Sequence, residues 1–374
     1  MSDSRPTRAV IDLGALAHNF AIARRLAGDR AVIAIVKADG YGCGAAAVAR
    51  RLLREGCTRF AVATVSEVAA LRAARIDAPV LLLGGVHDAA DARAAVALGA
   101  TPVLHHEGMR AAVEDAAASL GRRAAVHVEV DTGMRRLGVP ADEAVALIAR
   151  VAASRHLAFE GVSTHFARAD EGDPAPLRAQ AEALARVLEE LERRAIAPGL
   201  VHLANSAGLL ESASWQDLLP AGAVRPGLML YGVAPAPHFA DVGLRPVMTL
   251  RTEVTALRHV GAGEGVGYGA VFRAPRSGRI ATLPMGYADG VPWSLGRPGA
   301  GGTVLVAGRR CAIAGRISMD LTTVWLEDDA VTVGDEAIVF GVGAPVEALA
   351  AAAGTLSYEL LVRVGGRVPR TAIG

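Results

Sequence analysis

The chain has 374 residues, 52% of them hydrophobic and 21% charged, with a formal net charge of +1. That length suits about two domains with a sizeable core. The near-neutral balance leaves no electrostatic case for nucleic acid or an acidic membrane surface as partner, and no apolar run approaches the ~20 residues of a membrane span. Cys43, Cys57 and Cys311 form no CxxC pair and no disulfide framework, so a reducing cytoplasm is the expected setting. Residues 1–8 are polar and lack the apolar centre of a secretion signal.

Eight short apolar segments read as strands, at 32–36, 60–64, 80–83, 102–104, 126–130, 160–164, 200–203 and 223–230. Ala-rich, Arg/Glu-decorated stretches of helical length lie between most of them, as at 45–55, 66–75, 88–98 and 176–194. Alternating strand and helix argues for a parallel sheet. Eight such units suggest an N-terminal (β/α)8 TIM-like barrel, with an open doubly wound sheet as the alternative. No GxGxxG follows the first strand, which removes the dinucleotide fingerprint. After Pro235-Ala236-Pro237 the pattern becomes β-rich with Gly turns, at 247–257, 279–283, 303–306, 311–314, 321–325 and 336–340. One short helix at 345–353 and an extended stretch at 363–373 end the chain. The expected division is a barrel domain over 1–240 and a C-terminal all-β domain over 241–374.

The chain contains one lysine, Lys37; the other 38 of its 39 basic side chains are arginine. A guanidinium does not lose its proton in proteins and cannot replace an amine as nucleophile. Lys37 closes the apolar run 31–36 and precedes Ala38-Asp39-Gly40-Tyr41-Gly42, which reads as a buried strand ending in a turn with the amine at its C-terminal end. Active sites of such barrels form at the strand C-termini, and polar residues concentrate there. Tyr41 follows the first strand, Glu129 to Arg136 span the end of the fifth, and His165 follows the sixth. His202, Asn205 and Ser206 follow the seventh, and Arg225 and Gly227 lie around the eighth. An amine among phosphate-binding residue types points to pyridoxal 5'-phosphate, with Lys37 forming the Schiff base and Tyr41 and Ser206 donating to phosphate. Singly, Lys37 also reads as a survivor of an Arg-rich coding bias, Ser206 as a helix N-cap and either histidine as a hydrogen-bonded core residue. Their joint placement favours function. In the second domain, Gly267-Tyr268-Gly269 and Gly286-Tyr287-Ala288 set tyrosines beside glycines, each also readable as a turn with an anchoring aromatic.

Together these segments resemble the alanine racemase family. The resemblance rests on Val36-Lys37-Ala38-Asp39-Gly40-Tyr41-Gly42, Asp131-Thr132-Gly133-Met134, Arg136-Leu137-Gly138, Thr164-His165-Phe166-Ala167, Asn205-Ser206, Arg225-Pro226-Gly227, Gly267-Tyr268-Gly269, Gly286-Tyr287-Ala288-Asp289-Gly290, Ser318-Met319-Asp320, Ser357-Tyr358-Glu359 and Arg367-Val368-Pro369-Arg370. It runs in family order from about residue 7 to the last residue. It implies a pyridoxal-phosphate enzyme that interconverts L-alanine and D-alanine by a two-base mechanism, supplying D-alanine for peptidoglycan, with no metal. Lys37 and Tyr268 match the two acid/bases on opposite faces of the substrate. In the family that tyrosine comes from the partner subunit, so a homodimer with shared active sites is implied. Arg225 matches the arginine facing the pyridine nitrogen, expected to leave that nitrogen unprotonated and to suppress transamination. His202 matches the residue that orients Tyr268, and His165 the one that supports the ring and Arg225. Tyr41, Asn205, Ser206, Gly227 and Tyr358 match cofactor and phosphate contacts. Arg136 and the Met319 backbone match the substrate carboxylate site, Tyr287 an entrance residue and Asp320 a supporting one.

Two positions depart from the family pattern. Many members carry at position 129 a lysine carboxylated to a carbamate that positions the substrate-binding arginine; here it is Glu129. Glutamate is already anionic and of similar reach, so it is expected to replace the carbamate and pair with Arg136. Arg135 beside Arg136 is the second departure, and leaves two arginines as candidates for the carboxylate site. Competing readings are a non-catalytic pyridoxal-phosphate-binding protein, a two-domain decarboxylase, and a broad-specificity serine/alanine racemase. The first lacks a second domain, where Tyr268 and Met319 lie, and the motif set fits the decarboxylase poorly.

Overall fold

The computed structural model describes residues 5–327 and 330–374; residues 1–4 of the polar N-terminal stretch lie outside them. It divides into two compact units. One comprises Ala17–Gly40 and Ala45–Leu244. The other comprises the segment ending at Leu16, Tyr41–Gly44 and Arg245–Gly374.

The strands, in chain order, are β1 (Arg8–Asp12), β2 (Ala31–Ile35), β3 (Arg59–Val62), β4 (Val80–Leu82), β5 (Thr101–Leu104), β6 (Ala124–Asp131), β7 (Val139–Pro140), β8 (Leu157–Ser163), β9 (Leu200–His202) and β10 (Ala223–Val224). They continue as β11 (Met248–Glu253), β12 (Ala256–Val260), β13 (Gly265–Val266), β14 (Phe272–Arg273), β15 (Gly278–Leu283), β16 (Thr303–Val306), β17 (Arg309–Ala312), β18 (Thr322–Leu326), β19 (Glu336–Phe340) and β20 (Arg370–Ile373).

In the first unit the strand order is β5-β4-β3-β2-β10-β9-β8-β6, and a further β5–β6 pairing closes the ring. Every pairing is parallel. This is a (β/α)8 barrel, and closure rules out the open sheet. Full burial of Ile33, Ala34, Phe60, Val62, Val80 and Leu82 explains the unbroken apolar runs: a strand covered on both faces has no polar side to alternate. The last strand is shorter than expected, because Arg225-Pro226-Gly227 turns the chain into the 3-10 segment Leu228–Tyr231. Proline has no N–H to continue a ladder. Helix starts follow side-chain chemistry. Thr64 and Glu67 make a reciprocal capping box before Val65–Ala73, and Asp88 caps Ala89–Ala97.

In the second unit one sheet has the order β17-β16-β19-β11-β1-β20, a second the order β12-β15-β18, and β13 pairs with β14. The expected run 247–257 divides into β11 and β12, and a helix, Ser357–Val362, precedes the extended tail. β1 was not signalled by the sequence; it lies between antiparallel β11 and parallel β20 and buries Ala9 and Ile11 in alternation. Val266, Ala274, Ile280, Ala314 and Trp325 form a local core beneath the Gly267-Tyr268-Gly269 turn. Among the described residues no helix is long and apolar enough to cross a membrane.

Candidate active site

Lys37 follows β2 after one intervening residue, Val36, and the turn after it has an unusual backbone. Ala38, Asp39, Gly40 and Tyr41 all adopt left-handed torsions, with φ of 52°, 52°, 62° and 53°. Each non-glycine residue there costs about 1–2 kcal/mol. Local hydrogen bonds offset that strain: Gly40 N–H donates to Val36 O at 2.9 Å, and Ala45 N–H to Asp39 Oδ1 at 2.8 Å. Glu67 takes the N–H groups of Ala38 at 2.5 Å, Ala63 at 2.7 Å and Thr64 at 3.1 Å. Burial lowers the Lys37 pKa; cationic Arg136 and Arg225 lower it further, against the pull of Glu67. A lowered amine pKa raises the fraction of nucleophilic neutral amine near pH 7.

Arg225, just after β10, is buried with its guanidinium directed into neutral acceptors. One nitrogen donates to His202 O at 2.8 Å and to His202 Nδ1; the other donates to Thr164 O at 2.7 Å and to His165 Nδ1 at 3.2 Å. His202 Nε2 meets His127 Nδ1 at 2.7 Å. Burial, reinforced by the Arg225 charge, pushes His165 down to about 3 and holds His202 well below its usual value. Burial likewise brings His127 to about 3 and Arg225 to about 10. At neutral pH the three imidazoles are uncharged and the guanidinium is a cation.

Glu129 and Arg136 do not make the expected pair. Among the described residues no hydrogen bond or ion pair joins them, although Glu129 is buried in β6. Its charge is felt instead at Arg225 and at His105. Arg136 is exposed on the loop after β6, yet its charge acts on Lys37, His165 and Arg225. Arg135 is occupied: Asp131 Oδ1 accepts its N–H at 3.0 Å, and Oδ2 faces its guanidinium at 3.4 Å. Of the two arginines, Arg136 is the one whose charge reaches Lys37.

Ser206 begins the helical turn Ser206–Leu210, and Asn205, not Ser206, is its N-cap, accepting Gly208 N–H at 2.9 Å. The Asn205 amide nitrogen lies 3.4 Å from His165 Nε2. Ser206 Oγ accepts the N–H groups of Gly227 and Met229. Both lone pairs are used, so the hydroxyl proton is left to donate outward.

In the second unit, Tyr41 and Tyr358 lie with ring centroids 6.3 Å apart, and Tyr41 is buried. Gly42 precludes any side chain, since a Cβ would stand 2.6 Å from Leu361 O. Tyr268 is 71% exposed between Gly267 and Gly269, both at positive φ. Tyr287 and Met319 belong to adjoining turns. Tyr287 N–H donates to Ser318 O and Ala288 N–H to Met319 O, each at 3.1 Å. Among the described residues nothing accepts the Met319 N–H. Arg367 ties the two turns together through Asp320 at 2.8 Å, Met319 O at 3.3 Å and buried Asp289 at 2.8 Å.

Three residues, His127, Glu67 and Gln180, went unnamed in the sequence, and Thr164 and Arg367 stood in the family motifs without an assigned role. His127 shares the inward face of β6 with Glu129, two residues away, and strand alternation is the signal that points to it. Glu67 is legible as a capping-box acid. Thr164 and Gln180 are not legible: Thr132 Oγ1 and Thr164 Oγ1 pair at 2.7 Å, and Gln180 reaches Thr132 and the His165 carbonyl from a helix far along the chain. Arg367 likewise acts only through distant partners.

The family pattern described as alanine racemase, N-terminal domain, matches residues 11–235, and that of the C-terminal domain matches residues 247–372. The chain belongs to the alanine racemase family. Among its relatives, "Alanine racemase" of Desulforamulus reducens is 41% identical, covering 99% of each chain. That of Thermobifida fusca is 39% identical, covering 98% of each. Of solved structures, alanine racemase from D-cycloserine-producing Streptomyces lavendulae is 35% identical with a TM-score of 0.92, covering 100% of this chain and 98% of that one. The biosynthetic alanine racemase of Pseudomonas aeruginosa is 37% identical with a TM-score of 0.89, covering 99% and 100%.

Proposed function

We propose that the chain is a pyridoxal-phosphate-dependent alanine racemase of the cytoplasm, acting as a homodimer and supplying D-alanine for peptidoglycan. The observation that carries the reading is the chain's one lysine, of lowered pKa, at the end of a barrel strand, with its charge environment shared with a buried arginine that touches only neutral acceptors. The residues fit the cofactor. Lys37 holds it covalently, the Ser206 hydroxyl donates to its phosphate with the Gly227 backbone, and Tyr41 and Tyr358 add phenolic donors. Asn205 and His165 would support the ring, and Arg225 would serve its pyridine nitrogen.

Bound pyridoxal phosphate supplies an electron sink that acidifies the amino-acid Cα. Lys37 moves the proton on one face of Cα. Tyr268 of the partner subunit moves it on the other; His202, fully buried with one ring nitrogen on Arg225 and the other on His127, is not free to orient it directly, contrary to expectation. Arg136 and the Met319 N–H hold the substrate carboxylate, while Tyr287 stands at the entrance, its turn braced through Asp320. Arg225 would keep its proton and leave the ring nitrogen unprotonated, because the guanidinium holds it too tightly, and would thereby disfavour transamination.

The test is incubation with L-alanine in deuterated water, with L-serine in parallel, following optical activity and Cα deuterium together. Racemisation with deuterium incorporation, lost in both Lys37→Ala and Tyr268→Phe, supports two bases. Exchange with retained chirality removes Tyr268 from its role. A reducible Schiff base without exchange supports the binding-protein reading.

A further inference from the structure

Arg225 is an obligate donor, because a guanidinium has no lone pair to offer. His202 Nδ1, which faces it, must therefore be the unprotonated ring nitrogen, and the His202 proton sits on Nε2. That N–H needs an acceptor inside a buried barrel. His127 Nδ1 stands 2.7 Å away, so His127 accepts there and carries its own proton on Nε2. One obligate donor thus fixes the tautomers of two histidines in series.

The contact spans a gap. His127 lies on β6 and His202 on β9, with β8 between them. Opposite His127 in the β6–β8 register stands Gly161. A Cβ at Gly161 would lie 2.5 Å from His127 Nδ1 and Cε1, so only a residue without a side chain lets the imidazole cross β8. The two rings approach with centroids 4.9 Å apart, tilted by 47°.

We propose that His127 is a positioning residue that acts through His202 to hold the Arg225 guanidinium in place. Resting on the reading of Arg225 as the ring-nitrogen partner, it explains how that cation keeps its direction without a carboxylate on it. Accepting the Nε2–H makes His202 Nδ1 a stronger acceptor for Arg225. Without that acceptor, His202 is free to take the other tautomer, whose Nδ1–H opposes the guanidinium donor.

The test uses the full-length enzyme loaded with pyridoxal phosphate and selectively 15N-labelled at histidine. In the wild type, His202 is expected as the neutral Nε2–H tautomer. His127→Asn keeps an acceptor near the Nδ1 position, and its kcat should stay within about threefold of wild type. His127→Leu removes the acceptor. Its kcat for alanine should fall about tenfold, on the scale of one lost buried hydrogen bond, with KM little changed, and the His202 signal should lose its single tautomer. A His127→Leu protein that folds and turns over like the wild type overturns the proposal. So does a cationic or Nδ1-protonated His202 in an active wild-type enzyme, a result that needs no variant. A wild type with the expected His202 tautomer but no alanine racemisation would refute the proposed function and leave the tautomer lock standing.

Discussion

Ser206 Oγ accepts the Gly227 N–H at 3.0 Å and, alongside it, the Met229 N–H at 3.2 Å. A hydroxyl so engaged has one proton and no spare lone pair, which makes it a directed donor and not a generic polar contact. Ser206→Ala leaves two buried N–H groups without a partner, at about 1–3 kcal/mol. Thermal unfolding should show that loss in stability, and equilibrium dialysis about tenfold weaker pyridoxal-phosphate binding.

The Lys37 amine titrates below 10.5, through burial and then the Arg136 charge. On the proposed reading its neutral form would attack pyridoxal phosphate, so attachment to the apoenzyme should accelerate with pH and level off below that value. Arg136→Gln removes a cation and should move the midpoint upward. Stopped-flow absorbance across pH measures both; an unmoved midpoint would show that Arg136 does not govern the amine.

Glu129 stands at the position where the resemblance implies a carboxylated lysine, and no second lysine exists to be carboxylated. Depleting carbon dioxide and bicarbonate should therefore leave activity unchanged. Because its charge acts on Arg225 without an ion pair to Arg136, Glu129→Gln should lower kcat by roughly tenfold, on the scale of one lost interaction with a charged group, more than it raises KM. Steady-state kinetics separates the two.

Asp289 is buried and accepts from Arg5 at 2.8 Å, from Arg367 at 2.8 and 3.0 Å and from Gly286 N–H at 2.9 Å. Burial alone would raise its pKa, but the hydrogen bonds from Arg367, Gly286 and Arg5 outweigh it and hold the carboxyl below its usual value. The sign follows: its stabilisation is complete above the unfolded value of about 3.9 and is lost as pH falls through the lower folded value. Asp289→Asn should cost about 2 kcal/mol near neutrality, reduced from buried-pair values because Arg367 remains in contact with water. Urea unfolding should show the difference between wild type and variant shrinking below about pH 4.

Much of this protein is written in local pattern. Apolar runs of strand length, separated by helical stretches, announce the eight barrel strands because each strand is buried on both faces. A lone lysine among 38 arginines marks Lys37 because no arginine can replace its chemistry, and the Gly-flanked tyrosines are visible for the same local reason. Tertiary structure decided what depends on partners distant in sequence. It set Arg135 against Asp131 and brought the Arg136 charge to bear on Lys37. It set β1 between β11 and β20, and it carried His127 past Gly161 to His202. Hydrophobic periodicity reports burial, which a chain segment experiences on its own; pairing and tautomer are fixed only when remote strands bring donor and acceptor within about 3 Å.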